Sequence, residues 1–148
     1  MAPTPSDTGI TLTLERDYKA TPERVFEAWT TPEKLARWFC PTDDYVCTVH
    51  ELDARAGGHY RFEMKHKGGN VHIAYGTYEV VSRPDRIVFT FAWENNPAAG
   101  ESRVNVTLEA RGDGTRMHFF QENIPSADIR DRNLNGWTGS FERMIRLF

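Results

Sequence analysis

The sequence contains cysteines, histidines and acidic residues, but their spacing matches no strong catalytic or metal-binding motif. Cys47 and His50 have a spacing that occurs in metal sites, and Cys40 is a further thiol. On a β-strand, residues three apart point to opposite faces, so Cys47 and His50 cannot share a metal ion without distortion. Since the chain has only two cysteines, reduced thiols are the default. We therefore predict no metal site, no cofactor and no catalytic residue here.

The remaining histidines are predicted to be solvated surface residues. His66 and His72 flank a Gly-Gly turn, and the hairpin register that we expect there places them on opposite faces. His59 and His118 each alternate with apolar neighbours, so both should lie on the outer face of a sheet. A catalytic role for His59 or His118 would require its side chain to point to the inner face of the sheet.

The remaining acid candidates are four glutamates: Glu63, Glu79, Glu94 and Glu122. Glu63 and Glu94 are in phase with polar neighbours and are predicted to face outward. Glu79 lies near Gly76, a possible bulge in the same strand, so the pattern does not determine which face of the sheet its side chain points to. A cross-strand Arg–Glu pair explains both Arg61 and Glu79. The alternative is a buried carboxylate that acts as a general base in a cyclase-like site.

The aromatic residues are the most informative feature of the sequence. They recur on the apolar faces of the predicted elements, at Phe39, Phe62, Phe89, Phe91, Trp93, Phe119, Trp137 and Phe141. They either fill the core or line an apolar pocket between a long C-terminal helix and a sheet. Gly136 and Gly139 interrupt that helix, at about 1 kcal/mol each relative to alanine. Such glycines often mark a close backbone approach or space left open beneath a helix.

Hydrophobic periodicity predicts the elements that position these side chains. Residues 10–18 alternate as a strand, and two short helices start at Thr21-Pro22-Glu23 and Thr31-Pro32-Glu33, which are typical helix starts. From residue 45 to residue 119 the period of two predicts six antiparallel strands. After Pro125 the period becomes that of one long helix. This order implies an α+β fold in which the long helix is buried against one face of a curved antiparallel sheet.

Composition limits the class of protein. The 148 residues suit one domain, which we predict over residues 10–148 after a loose tail at 1–9. A net charge of −3 disfavours a nucleic-acid binder. The longest nearly apolar run, residues 87–93, is too short to span a membrane. The N-terminus has neither the basic start nor the apolar segment of a signal peptide, so we expect a cytoplasmic protein.

Four segments carry a resemblance to a known family. They are Trp38-Phe39-Cys40-Pro41, LDARAGGHYRF at 52–62, GTYEV at 76–80 followed by PDRIVFTF at 84–91, and GWTGSF at 136–141. In this order they resemble the START-like (SRPBCC) superfamily, and within it the subgroup named after the activator of heat-shock-protein-90 ATPase. The resemblance extends over about residues 10–148.

This resemblance implies a helix-grip fold of the START/Bet v type. In that fold a curved antiparallel sheet of about seven strands surrounds a long C-terminal helix, and two short helices follow the first strand. The resemblance also implies non-covalent binding of a small hydrophobic or aromatic ligand in a cavity between helix and sheet. The pocket candidates are Trp38, Phe39, Phe62, Tyr78, Phe89, Phe91, Trp93, Met117, Phe119, Trp137 and Phe141.

Two other classes of function stay open at this point. One is a cyclase- or dehydratase-type enzyme that acts on an aromatic or polyketide-like substrate, which requires a polar group with a shifted pKa inside the pocket. The other is a protein-interaction or co-chaperone-like module, which requires a large exposed apolar patch. A homodimer is compatible with all three classes.

Overall fold

The computed structural model describes residues 8–148, so positions 1–7 of the expected N-terminal tail lie outside the described residues. The strands are β1 Leu12–Tyr18, β2 Tyr45–Leu52, β3 His59–His66, β4 Val71–Ser82, β5 Arg86–Trp93, β6 Ser102–Arg111 and β7 Gly114–Glu122. The helices are α1 Pro22–Thr30, α2 Pro32–Trp38 and α3 Ala127–Met144. Short 3-10 turns occur at Pro97–Ala99 and Ile145–Leu147.

The strands form one antiparallel sheet in the order β1-β7-β6-β5-β4-β3-β2. Strands that follow one another from β2 to β7 are neighbours, and β1 joins the sheet beside β7. The sheet curls into a half-barrel that holds α3. The predicted α+β helix-grip fold, with seven strands and two short helices after the first strand, is therefore confirmed.

The three helices begin where the sequence predicts, although their caps differ. The Thr21 hydroxyl accepts a hydrogen bond from the backbone N–H of Arg24 at 3.4 Å. The Ser126 hydroxyl accepts one from the N–H of Ile129 at 3.2 Å. Thr31 precedes α2 without a side-chain bond of this kind. Proline occupies the first position of α1 and α2, where no helical N–H bond is lost.

The core lies between α3 and the inner face of the sheet, and strand alternation determines which side chains reach it. On β7, Met117, Phe119 and Gln121 are fully buried, whereas Phe120 between them is 38% exposed. Trp38 at the end of α2 is also fully buried, and its indole N–H donates to the Ala28 carbonyl at 2.8 Å. Within residues 8–148, no helix is long and apolar enough to cross a membrane.

The hairpin between β3 and β4 differs from the prediction. His66 bonds through its backbone N–H to the carbonyl of Asn70 at 2.7 Å, so the turn has three residues and not two. Gly69 takes the left-handed conformation in this turn, with φ of 104°. A slip of one residue moves a side chain to the other face of a strand. The prediction that His66 and His72 face opposite ways is therefore wrong, because both rings contact Tyr45, with centroids 4.9 and 6.2 Å away.

Candidate functional site

A groove of about 800 Å³ opens between α3, from Ile129 to Ser140, and the neighbouring ends of β3, β4 and β5. The segment from Pro41 to Tyr45 and the loop after β5 complete its walls. Seven residues of α3 line the groove, and five of them recur three or four apart, at Ile129, Asn133, Gly136, Trp137 and Ser140, with Arg132 and Asn135 beside them. This spacing places them on one face of the helix, so α3 presents a continuous stripe to the groove.

Aromatic rings form the apolar part of the wall. The Trp137 ring centroid lies 5.3 Å from that of Phe91 and 5.7 Å from that of Phe39. Phe91 in turn packs edge-on against Trp93, with centroids 5.2 Å apart. Edge-to-face and offset contacts at these distances are favourable for aromatic pairs. The rings thus support one another and form a preformed apolar surface.

A buried chain of hydrogen bonds holds Trp137 in place. Its indole N–H donates to Gln121 Oε1 at 3.1 Å, and Gln121 Nε2 donates to Ser102 Oγ at 2.8 Å. The Ser102 hydroxyl donates to the Phe91 carbonyl at 3.4 Å. Gln121 is fully buried, and Ser102 is 5% exposed. Because unpaired polar groups are unfavourable in the core, this chain fixes the orientation of the indole on the groove wall.

The two glycines of α3 have different physical roles. A Cβ built on Gly136 would meet nothing within 4 Å, because this position faces the open groove. A Cβ on Gly139 would overlap the backbone carbonyl of Pro41. Gly136 therefore marks open space, and Gly139 marks a close backbone approach.

The predicted pocket candidates divide into two groups in the structure. Phe39, Phe91, Trp93 and Trp137 line the groove. The others pack in the core away from the groove wall, at Trp38, Phe62, Tyr78, Phe89, Met117, Phe119 and Phe141. The ring centroid of Phe119, for example, lies 4.7 Å from that of Trp137 and 5.2 Å from that of Phe141, while Phe119 itself does not line the groove. The core rings thus support the ones that line the groove.

Sequence reasoning missed the polar side of the groove. Several side-chain amides and one cation line it, including Asn70, Asn95, Asn133 and Arg132. His72 also lies on this wall because of the three-residue turn described above. The available signal is a set of asparagines: Asn95-Asn96 after β5, Asn70 in the β3–β4 turn, and Asn133 and Asn135 near the middle of α3.

The arginine and glutamate candidates lie outside the groove. Arg61 pairs with Glu94 at 2.7 Å, and Arg103 pairs with Glu79 at 2.6 Å. The hydrogen bond from Arg61 lowers the pKa of Glu94 below its ordinary value. Arg61 and Glu79 are therefore each in an Arg–Glu pair, as predicted, although they have different partners and do not pair with each other. Each pair reaches across an intervening strand, and Glu94 lies just after the end of β5.

The histidines outside the groove also have polar partners. His118 lies between Glu15 and Glu109, with N···O distances of 2.9 and 3.0 Å. His59 bonds to Thr77 at 3.0 Å and is exposed. His50 pairs with Glu63 at 3.0 Å. These imidazoles therefore belong to surface hydrogen-bond networks.

Cys40 and Cys47 are both buried free thiols. The hydrogen bond between them, together with burial, raises the pKa of Cys47, so this thiol stays protonated. Among residues 8–148, no group of three or more histidine, cysteine or acidic side chains is arranged to hold a metal ion.

The groove segment around Pro41 is tied to the C-terminal end of the chain by Asp43. Asp43 pairs with Arg143 and with Arg146, the latter at 2.9 Å. Hydrogen bonds from Arg146 and Arg143 lower the pKa of Asp43 to about 2. The ion pairs therefore persist over the whole physiological pH range.

We expect Asp43→Asn to weaken the acid dependence of folding. Because the folded pKa of Asp43 is below its unfolded value of about 3.9, its contribution to stability is complete above pH ~4 and is lost as the pH falls towards 2. Urea midpoints measured from pH 6 to pH 2 should fall less steeply in the variant than in the wild type. Asp113→Asn, in the β6–β7 turn, is the control, and parallel profiles for wild type and Asp43→Asn would contradict the expectation.

Comparisons with known proteins agree with this architecture. The sequence model of the family described as "Activator of Hsp90 ATPase homolog 1-like protein" matches residues 19–148. The crystal structure of a Chromobacterium violaceum protein is 33% identical, with a TM-score of 0.86, over 93% of this chain and 95% of that one. No curated protein matches the chain significantly.

More distant structures share the fold. An AHSA1 protein from Silicibacter pomeroyi is 24% identical, with a TM-score of 0.81, over 93% of this chain and 96% of that one. CalU16 from Micromonospora echinospora is 21% identical, with a TM-score of 0.72, over 97% of this chain and 78% of that one. With its family match over residues 19–148, the chain belongs to the family of activator of Hsp90 ATPase homolog 1-like proteins, within the START-like superfamily.

Proposed function

We propose that this domain binds a small, mainly apolar or aromatic ligand non-covalently in the groove beneath α3. The observation that carries the proposal is an aromatic wall beside open space at Gly136, in a groove of about 800 Å³. Small-molecule sites in proteins typically have about 300–1,000 Å³ and a largely apolar, preformed lining. Burying about 200 Å² of apolar ligand surface would contribute about 5 kcal/mol before the costs of association.

Ser140 supports the same proposal. It lies on the groove wall and is 4% exposed, yet its hydroxyl has no hydrogen-bond partner within residues 8–148. The fully buried unpaired side-chain atoms of the described residues are Trp29 Nε1 and Arg143 Nε, so the Ser140 oxygen keeps some access to the groove. A polar atom of a bound ligand would provide a hydrogen-bond partner for it.

The groove offers less support for a carboxylate-based enzyme. No aspartate or glutamate of the described residues lines it. Glu79 and Arg61, whose burial in the cavity would favour a cyclase-type reaction, form ion pairs elsewhere. Tyr78 is buried in the core, where burial raises its pKa above the ordinary range, so it stays protonated. Binding is therefore the function that we propose.

Filling the groove from α3 tests this proposal. Leucine at position 136 should point into the open space and block binding, without loss of stability, because leucine is about 0.8 kcal/mol better than glycine in a helix. We would screen the wild type by thermal shift against fatty acids, flavonoids, sterols and small aromatic acids. A ligand at 100 times its Kd adds about 2.7 kcal/mol, or about 5–10 °C in Tm for this size.

Gly136→Ala is the matched control, because one methyl group leaves most of the groove open. We expect the ligand-induced shift to persist in Gly136→Ala and to disappear in Gly136→Leu. No shift of the wild type across the whole panel, or an equal shift in Gly136→Leu, would overturn the proposed function.

A further inference from the structure

We propose that the ligand of this groove carries a negative charge, and that Arg132 binds the anionic group. This inference rests on the proposed function and adds the chemical class of the ligand: an elongated apolar or aromatic body with one anionic group at an end. Arg132 lies on the groove wall, one turn before Gly136 on α3, and it is exposed. A guanidinium at the edge of an apolar surface is suited to a carboxylate or sulfonate.

The ion pairing of α3 sets Arg132 apart. This helix carries three arginines, at positions 130, 132 and 143. Arg130 pairs with Asp131, and Arg143 pairs with Asp43. Within residues 8–148, no ion pair and no hydrogen bond engages the side chain of Arg132. Its positive charge is therefore available to a molecule in the groove.

The surrounding charges favour an anion over a cation. No carboxylate of the described residues lines the groove, although the whole chain has a net charge of −3. Asp128 lies one turn before Arg132 on α3, but it is not part of the groove wall and forms no ion pair with Arg132 in the described structure. Arg132 is thus the only arginine, lysine or carboxylate side chain among the described lining residues.

Side-chain amides supply further donors for anionic oxygens. The backbone N–H of Ile73 donates to Asn95 Oδ1 at 2.7 Å, which orients this amide and leaves its NH₂ group free of partners in the described structure. Asn70 and Asn133 also line the groove, and their side chains have no hydrogen-bond partner within residues 8–148. Each such amide offers two N–H donors.

The helix also sets a length for the ligand. Arg132 and Ser140 are eight residues apart on α3, a rise of about 12 Å along the helix axis. The Trp137 ring and the open space at Gly136 lie between them. A ligand with its anionic group at Arg132 and its body against Trp137 would reach towards the Ser140 hydroxyl.

Two fluorescent probes that differ in one charge test the inference. Anilinonaphthalene sulfonate and N-phenylnaphthylamine share the same ring system, and only the first carries a sulfonate. We would titrate both into the wild type, Arg132→Gln and Arg130→Gln. The Arg130 variant is the matched control, because Arg130 is the neighbouring arginine of α3 that already has a partner and does not line the groove.

We expect Arg132→Gln to raise the Kd of the sulfonate probe about tenfold and to change the Kd of the neutral probe by less than about twofold. Arg130→Gln should leave both values near those of the wild type. Raising the salt concentration should weaken sulfonate binding to the wild type more than to Arg132→Gln, because salt screens an exposed charge pair.

The other possible results distinguish a failure of the role of Arg132 from a failure of the binding groove. Equal effects of Arg132→Gln on both probes, or equal effects of the two arginine variants on the sulfonate probe, would overturn the role of Arg132 while leaving a binding groove. Saturable binding of neither probe to the wild type would overturn the proposed function itself, and the inference with it.

Discussion

Alanine at Gly139 should lower the free energy of unfolding by about 2 kcal/mol, whereas alanine at Gly136, three residues earlier, should raise it by about 1 kcal/mol. A methyl group at position 139 would overlap the carbonyl oxygen of Pro41, and backbone atoms cannot move aside as a flexible side chain can. Overpacking of this kind typically costs about 1–3 kcal/mol, and occasionally more, which exceeds the gain in helix propensity. At position 136 only that gain remains, since the methyl group meets open space.

Urea denaturation of both variants at neutral pH measures the two effects. Their opposite signs are the informative result, because helix propensity alone predicts stabilisation at both positions. Stabilisation of Gly139→Ala would mean that α3 does not approach Pro41 as closely as the structure shows. Loss of stability in Gly136→Ala would mean that the space at this position is occupied.

The second large effect concerns the buried hydrogen bonds behind the groove wall. Gln121→Leu should lower the free energy of unfolding by about 3 kcal/mol, although leucine is apolar and of similar length. The substitution leaves the indole N–H of Trp137 without an acceptor and removes the donor to Ser102. Each buried polar group left unpaired costs about 1–3 kcal/mol. Ligand affinity should fall as well, because the orientation of the Trp137 ring is no longer fixed.

A double-mutant cycle with Trp137→Phe separates this cause from a change in packing. Phenylalanine has no N–H group, so Gln121→Leu should be less damaging by at least about 1 kcal/mol when position 137 is already phenylalanine. Strictly additive effects of the two substitutions would show that the hydrogen bond between Gln121 and Trp137 contributes nothing measurable.

Much of the fold follows from signals that are local in sequence. The start of α1 has the Thr21 cap, and both α1 and α2 begin with a proline whose missing N–H costs no helical bond. These signals involve only the first turn of each helix. The alternation along β7 reports directly which side chains face the core, and Met117 and Phe119 are fully buried as that pattern requires. The order of these elements then restricts the architecture to a sheet that covers the last helix.

Strand register and turn length are harder to predict from the sequence. The β3–β4 hairpin has two adjacent glycines, and either a two-residue or a three-residue turn is compatible with them. The choice reverses the facing of a histidine, and it is decided by pairing along the whole hairpin, where Met64 lies opposite His72. Because of this register, His72 lies on the groove wall, where the sequence analysis did not predict it.

By itself, the sequence determined that the aromatic residues on the apolar faces of the predicted elements turn inward, and that α3 carries two glycines with a structural purpose. It could not determine which rings face other rings and which face open space. Phe119 and Trp137 each lie on the apolar face of a predicted element, yet only Trp137 lines the groove. That difference depends on how closely α3 approaches the sheet and the Pro41 segment, and therefore on contacts such as Gly139 against Pro41 between residues far apart in the chain. Periodicity reports burial against a neighbouring element, whereas the shape of a groove arises only when all the elements are packed together.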